Sequence, residues 1–197
     1  MKKTLECLAK AFVGESMARN RYTIYAKQAV KEGFEQIAGI FLETAEQERT
    51  HAKRLFEAIQ AIKQKEGGGA AAEIEIKGGV GVPTVFGSTA ENLRAAIAGE
   101  HHEHEKMYPE FAKIADGEGF RDVAKRMRSI AVAEKHHEER YTKLLKQVEA
   151  GTVFKKPQAV WWVCRECGYM HFGVTPPEKC PACDHPQAFY QLKCEEY

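Results

Sequence analysis

The sequence predicts an all-α four-helix bundle, with a long crossover between helices 2 and 3, followed by a small β/loop metal domain. Three observations carry that expectation. Four long stretches hold apolar residues at helical spacing and fall into two pairs, each pair joined at a short glycine turn. The two pairs resemble one another in sequence. Five of the six cysteines crowd into the last fifth of the chain, Cys7 being the exception. Residues 1–150 are assigned to the bundle and 151–197 to the metal domain.

Helix 1 is expected from Thr4 to about Lys31, with Leu5, Leu8, Phe12, Glu15, Tyr22, Ala26 and Ala29 on one face. Glu32-Gly33 breaks it. Helix 2 runs from Phe34 to about Gln64, its stripe made of Phe34, Ile37, Phe41, Ala45, Glu48, Leu55 and Ile59. Residues 65–88 contain Gly67, Gly68, Gly69, Gly78, Gly79, Gly81 and Pro83 and cannot continue a helix, so they form the crossover, with Glu73 to Lys77 as a possible extended piece. Ser88 or Thr89 supplies an N-cap, with Glu91 in the first turn. Helix 3 then reaches about Asp116, with Leu93, Ile97, Glu100, Met107, Phe111 and Ile114 inward. Pro109 in its middle should kink it or distort it locally. Gly117-Glu118-Gly119 is the second turn. Helix 4 runs from Phe120 to Ala150 on the stripe Phe120, Val123, Met127, Ile130, Tyr141, Leu144 and Val148, which passes through Glu134 and His137.

The halves repeat. Glu15 matches Glu100, Glu32-Gly33-Phe34 matches Glu118-Gly119-Phe120, and Glu48-x-x-His51 matches Glu134-x-x-His137, at offsets of 85, 86 and 86 residues. A duplicated hairpin suggests a pseudo-two-fold bundle in which each half lends the same groups to one centre.

Those groups are the chemistry. An unpaired buried carboxylate is costly, so Glu and His on stripes that ask for Leu or Ile need a compensating partner, and a metal is the obvious one. Four-helix proteins that hold two metals take one Glu from each of two helices and a Glu-x-x-His from each of the other two. Glu15 and Glu100 fill the first role; Glu48/His51 and Glu134/His137 fill the second. A lone Glu-x-x-His on a helix is mostly chance; two inward copies matched in a repeat are not. The oxygen-rich set with two imidazoles suits iron or manganese better than structural zinc. Glu103, one turn past Glu100, is either a fifth carboxylate or a solvated charge. His101, His102, His104 and His136 lie off the stripe and read as surface or supporting residues. Tyr22 and Tyr108, two turns beyond Glu15 and Glu100, are core tyrosines or phenols that hydrogen-bond a ligand carboxylate.

Cys164, Cys167, Cys180 and Cys183 form C-x2-C-x12-C-x2-C, two knuckles that bind one tetrahedral iron or zinc. Trp161, Trp162, Tyr169, Phe172, Phe189 and Tyr190 are expected to build a small core beside it, and Cys194 is a spare thiol. A formal charge of +1 with mixed signs gives no electrostatic case for nucleic acid or membrane. The N-terminal run is broken by Glu6, Lys10 and Glu15, so no signal peptide is expected, and no apolar stretch is long enough to span a bilayer. A soluble cytoplasmic protein is the default.

In combination these residues resemble the rubrerythrins. The carriers are Gly14-Glu15-Ser16 with Ala18-Arg19-Asn20-Arg21-Tyr22, Glu48-Arg49-Thr50-His51, Gly99-Glu100-His101-His102-Glu103, Met107-Tyr108-Pro109, Ala133-Glu134-Lys135-His136-His137 and the cysteine knuckles with Gly168-Tyr169. The resemblance implies a ferritin-like di-iron bundle followed by a rubredoxin-like one-iron domain. It implies a peroxidase reducing hydrogen peroxide to water in oxidative stress defence. Electrons would come from a redox donor such as a rubredoxin or a flavin- or NADH-dependent reductase. It further implies that Glu48 and Glu134 bridge two irons, that Glu15, Glu100, Glu103 and His137 are ligands, and that Glu103 and His51 exchange on one iron with redox state. A homodimer or higher homo-oligomer is expected, with electrons crossing between chains. The rivals are an iron-binding protein or ferroxidase, and a structural module with zinc in the cysteine site.

Overall fold

The computed structural model describes residues 2–65 and 73–195. Helices α1 (Lys3–Lys31) and α2 (Glu35–Lys65) form one hairpin. Helix α3 (Thr89–His102), a π-helical turn (Glu103–Met107) and α4 (Tyr108–Gly117) form a continuous rod that pairs with α5 (Arg121–Glu149). An antiparallel sheet ordered β2–β1–β3 follows, built from β1 (Val160–Cys164), β2 (Met170–Gly173) and β3 (Tyr190–Leu192). No described helix is long and apolar enough to cross a membrane.

The repeat is structural as well as sequential. Gly33 (φ +79°) and Gly119 (φ +86°) take the left-handed conformation that ends α1 and α4. At the first turn Phe34 N donates to Ala29 O at 2.8 Å and Gly33 N to Val30 O at 3.0 Å. At the second, Phe120 N donates to Ala115 O and Gly119 N to Asp116 O at the same two distances. The glutamate before each glycine reaches the other half. The Glu32 carboxylate accepts from Thr89 N at 2.9 Å, and Glu118 accepts from Lys3 N at 3.0 Å and Thr4 N at 2.9 Å. Each hairpin turn thus caps the first helix of the opposite hairpin, where orphan N–H groups and the helix dipole favour an anion. Ser88 adds a capping box with Glu91 at the start of α3.

Pro109 has the expected local effect, and its form changes the register. The rod widens into the π turn just before the proline, which removes an N–H donor from the ladder. After the turn the buried positions are Tyr108, Ala112 and Ala115. Met107, Phe111 and Ile114, expected on the inward face, are only half-buried against it, because the π turn holds one residue more than a regular helical turn and shifts the inward face.

Gly67, Gly68 and Gly69 of the expected crossover lie outside the described residues. From residue 73 the chain runs beside α1: Ile74 packs on the core, and the Val85 carbonyl accepts from Tyr25 Oη at 2.7 Å. No strand forms over Glu73 to Lys77, which has no neighbouring strand to pair with among the described residues.

The bundle core is in two parts. One gathers Leu8, Leu55, Ile59, Met127 and Ile130; the other gathers Tyr22, Phe41, Leu93 and Tyr141. Between them lies a layer of buried charge: Glu15, Glu48, Glu100, Glu134 and His137 are each at most 2% exposed. In the sheet domain Trp162 and Tyr190 are buried with Cys164 and Cys180. Trp161 and Phe172 are not part of that core, contrary to the sequence expectation. They are cross-strand partners on the outer face of a sheet only one layer thick, in ring contact at 5.1 Å and about half exposed.

Candidate metal centres

Six side chains from four rods converge at the middle of the bundle. Glu15, Glu48, His51 and Glu134 offer ligand atoms that lie within 4.8 Å of one another, and so do Glu48, Glu100, Glu134 and His137. The two groups share Glu48 and Glu134. Their oxygens are divided between the two imidazoles. His51 Nδ1 lies 3.0 Å from Glu48 Oε2 and 2.9 Å from Glu134 Oε1. His137 Nδ1 lies 3.2 Å from Glu48 Oε1 and 2.9 Å from Glu134 Oε2. Glu15 completes the first group, 3.7 Å from His51, and Glu100 the second, 3.5 Å from His137. Two carboxylates that each turn one oxygen to either side are what a pair of bridged cations requires.

The electrostatics show why the protein atoms alone do not satisfy this cluster. Glu15 Oε2, Glu48 Oε1, Glu100 Oε2, both Glu134 oxygens and His137 Nδ1 are buried without an acceptable hydrogen-bond partner. Burial and the neighbouring Glu134 raise Glu15; burial, with Glu48 and Glu134 nearby, raises Glu100 to about 7. Burial opposes ionisation of Glu48 too, but the imidazoles of His137 and His51 hold it at about 2. Burial would lower both histidines, and the facing carboxylates raise them instead, His137 to about 12. Cations set among these atoms would pair every one of them, and the oxygen-rich donor set fits iron.

Supporting side chains fix the candidate ligands. Tyr22 Oη donates to Glu100 Oε1, and Tyr108 Oη to Glu15 Oε1, each across to the other half. Burial first, then the carboxylates, raise both phenols, so they remain donors. The spacing from Glu100 to Tyr108 is one residue longer than from Glu15 to Tyr22, and the π turn absorbs the difference. The wide turn also carries Glu103, whose first-half neighbour in the repeat is the small, wholly buried Ala18. Glu103 is 8% exposed and belongs to neither four-residue group; burial, then Glu15 and Glu100, raises it, favouring the protonated acid. His51, its expected exchange partner, is the one turned in. The apolar stripe of helix 2 does not mark Gln47. Its Oε1 lies 2.9 Å from His137 Nε2, which leaves Nδ1 facing Glu48, Glu100 and Glu134. Its position beside Glu48 was the one available signal. His101, His102, His104 and His136 contribute nothing to either group.

The second cluster is Cys164, Cys167, Cys180 and Cys183. Cys164 Sγ and Cys183 Sγ are 3.7 Å apart, as are Cys167 Sγ and Cys180 Sγ. Thiolates about 2.3 Å from one tetrahedral ion stand roughly 3.8 Å apart. Gly168 (φ +77°) and Asp184 (φ +63°) turn the backbone behind each knuckle. Cys7 is buried among apolar residues and Cys194 is exposed.

A rubrerythrin family model matches residues 6–145, and a rubrerythrin rubredoxin-like domain model matches residues 162–191. The chain belongs to the rubrerythrin family. A Methanocaldococcus jannaschii protein carrying the rubrerythrin name is 58% identical over all of this chain and 96% of its own length. The rubrerythrin of Nitratidesulfovibrio vulgaris is 47% identical over 96% of this chain and 94% of its own. Among solved structures, a mixed-valence state of nigerythrin is 31% identical, with a TM-score of 0.61, covering 96% of this chain and 86% of that one. A rubrerythrin chain of this kind is an iron-dependent oxidoreductase with two irons in the bundle and one in the four-cysteine site, and both clusters found here fit that complement.

Proposed function

We propose that this chain reduces hydrogen peroxide to water in the cytoplasm, drawing electrons through the four-cysteine iron of residues 151–197 into the di-iron centre of residues 1–150. The balance is H2O2 + 2 e⁻ + 2 H⁺ → 2 H2O. Bound iron supplies a pair of one-electron donors side by side, the number that cleavage of the O–O bond consumes. The observation that carries the reading is the division of Glu48 and Glu134 oxygens between two ligand groups, in a chain that also holds a four-thiolate site suited to one-electron transfer.

The remaining roles belong to the protein. Tyr22 and Tyr108 orient Glu100 and Glu15. Gln47 fixes the tautomer of His137. A cleft between α1, the π turn and the crossover is lined by Arg21, Val80, Pro83, Gly99 and Glu103 and is the entry proposed for peroxide. Glu103 lines that cleft and is the acid placed to relay a proton there. With iron bound, Glu103 would exchange with His51 as a ligand, the redox-linked exchange expected for this pair. An external rubredoxin or a flavin- or NADH-dependent reductase re-reduces the cysteine iron.

The test is a comparison of oxidants. Anaerobically reduced protein, mixed with peroxide or with dioxygen at equal concentration, should be oxidised much faster by peroxide. A preference for dioxygen, with added ferrous iron consumed as substrate, would replace this reading with a ferroxidase.

A further inference from the structure

We propose that His101, His104 and Glu138 form a further metal site on the outer wall of the bundle, an exchangeable one for a divalent transition ion of the zinc or ferrous type. Ligand atoms of these three residues lie within 4.8 Å of one another. His101 Nδ1 is 3.2 Å from Glu138 Oε1 and 3.3 Å from Oε2, and His104 Nε2 contacts Oε2. Two nitrogen or oxygen ligands about 2.0–2.1 Å from one tetrahedral ion stand roughly 3.3 Å apart. Two imidazoles and one carboxylate, with the remaining positions open, are a donor set used for both zinc and ferrous iron.

Three features separate this cluster from an ordinary surface ion pair. The imidazoles come from one face of the α3–π rod and the carboxylate from α5, so an ion here ties two rods together. Their rings stand edge to face, centroids 5.4 Å apart, with Glu138 before both. The His104 side chain is only 7% exposed, and its other nitrogen, Nδ1, lies 3.3 Å from Glu105 Oε1. A carboxylate behind a histidine whose far nitrogen faces a second ligand is the usual support of a metal-bound imidazole. His101 is more than half exposed, which leaves the open side to solvent and makes the ion exchangeable. The repeat gives no structural reason for the cluster: the first-half counterparts of His101 and Glu138 are Ser16 and Ala52.

The experiment is calorimetric titration of Zn²⁺ into the iron-loaded protein, with metal content measured before and after. Expected is saturable uptake of zinc beyond the irons, with iron content unchanged. His101→Ala with His104→Ala should abolish that uptake, and Glu138→Gln should weaken it by more than the about 10–100-fold that loss of a supporting partner costs. His102→Ala and His136→Ala, neighbours outside the cluster, should bind as the parent does. Zinc-edge anomalous scattering from soaked crystals should place a peak between His101, His104 and Glu138. No saturable uptake, uptake only by displacement of iron, or uptake that survives the double variant with its iron complement and helicity intact would each overturn the proposal.

Discussion

Glu15, Glu100 and His137 are each held by a side chain of the opposite half, Tyr108, Tyr22 and Gln47, so single substitutions separate binding from support. Glu48→Ala or Glu134→Ala removes a carboxylate shared by both ligand groups. Either variant should lose bundle iron and keep the four-cysteine iron, read as metal content with the visible spectrum of the thiolate site; two bundle irons retained in both would refute the ligand assignment. Tyr22→Phe and Tyr108→Phe remove a hydroxyl from a buried carboxylate, and each should destabilise the protein by about 1.5–3 kcal/mol in denaturant titrations while iron binding survives. Metal removal should reverse the response to pH. In the metal-free chain Glu100 is raised from 4.5 to about 7, so its contribution is complete below pH 4.5 and is lost as pH rises through 7, on the order of 3 kcal/mol. Glu15 and Glu103 act in the same direction. His137, raised from 6.5 to about 12, begins to lose its contribution only above 6.5, and Glu48, lowered to about 2, loses its own only below 4.5. Stability of the metal-free chain should therefore fall between pH 5 and 7, whereas that of the iron-loaded chain should rise, because metal binding releases protons. Parallel slopes in the two forms would contradict this account of the buried charge.

The elements were largely legible in the sequence, and the places where they were not have physical causes. The burial and grouping of Glu15, Glu48, Glu100, Glu134 and His137 were legible because a charged residue on an apolar stripe needs a buried partner. The π turn is written in the repeat, whose offset changes from 85 at Glu15/Glu100 to 86 at Tyr22/Tyr108, but a single helical period does not show it. The capping roles of Glu32 and Glu118 and the support from Gln47 depend on contacts across the bundle, which local periodicity does not report. Two expectations follow for the elements. A π turn is an α-helix with one residue inserted, so deleting the exposed Lys106 should restore a regular helix with both flanks in register. Deleting Lys125 inside α5 rotates the segment beyond it by about 100° and displaces Glu134 and His137. Circular dichroism and iron content should show the first deletion folded and loaded and the second not; equal damage would mean that the wide turn is not the insertion. Glu118→Ala leaves the first N–H groups of α1 without their partner and should cost about 1 kcal/mol.

At the scale of the whole molecule, the question is how electrons reach the bundle. The cysteine domain packs at the α1–α2 end: Phe154 stacks on Phe34 at 6.3 Å, and the Arg165 guanidinium lies over Gly39. From Gly39 to Glu48 the helix rises about 14 Å. We propose a dimer as the working unit, because a head-to-tail pair of chains that sets each cysteine site over the other chain's bundle would offer a shorter path. Complementation checks it. Cys164→Ser with Cys180→Ser abolishes one site, and Glu48→Ala with Glu134→Ala the other. Mixed dimers of these two should recover part of the turnover that neither supports alone, and no recovery in verified mixed dimers would point to a same-chain route. The central claim, that peroxide reacts at the bundle and is served by the cysteine iron, is tested most directly by stopped-flow mixing of fully reduced protein with hydrogen peroxide, following both centres at once. The expected result is rapid oxidation of the bundle irons, then oxidation of the cysteine iron at a later, slower step, with that later step lost in the chain carrying Glu48→Ala and Glu134→Ala. Oxidation of the cysteine iron first, or at an unchanged rate in the variant without bundle irons, would contradict it.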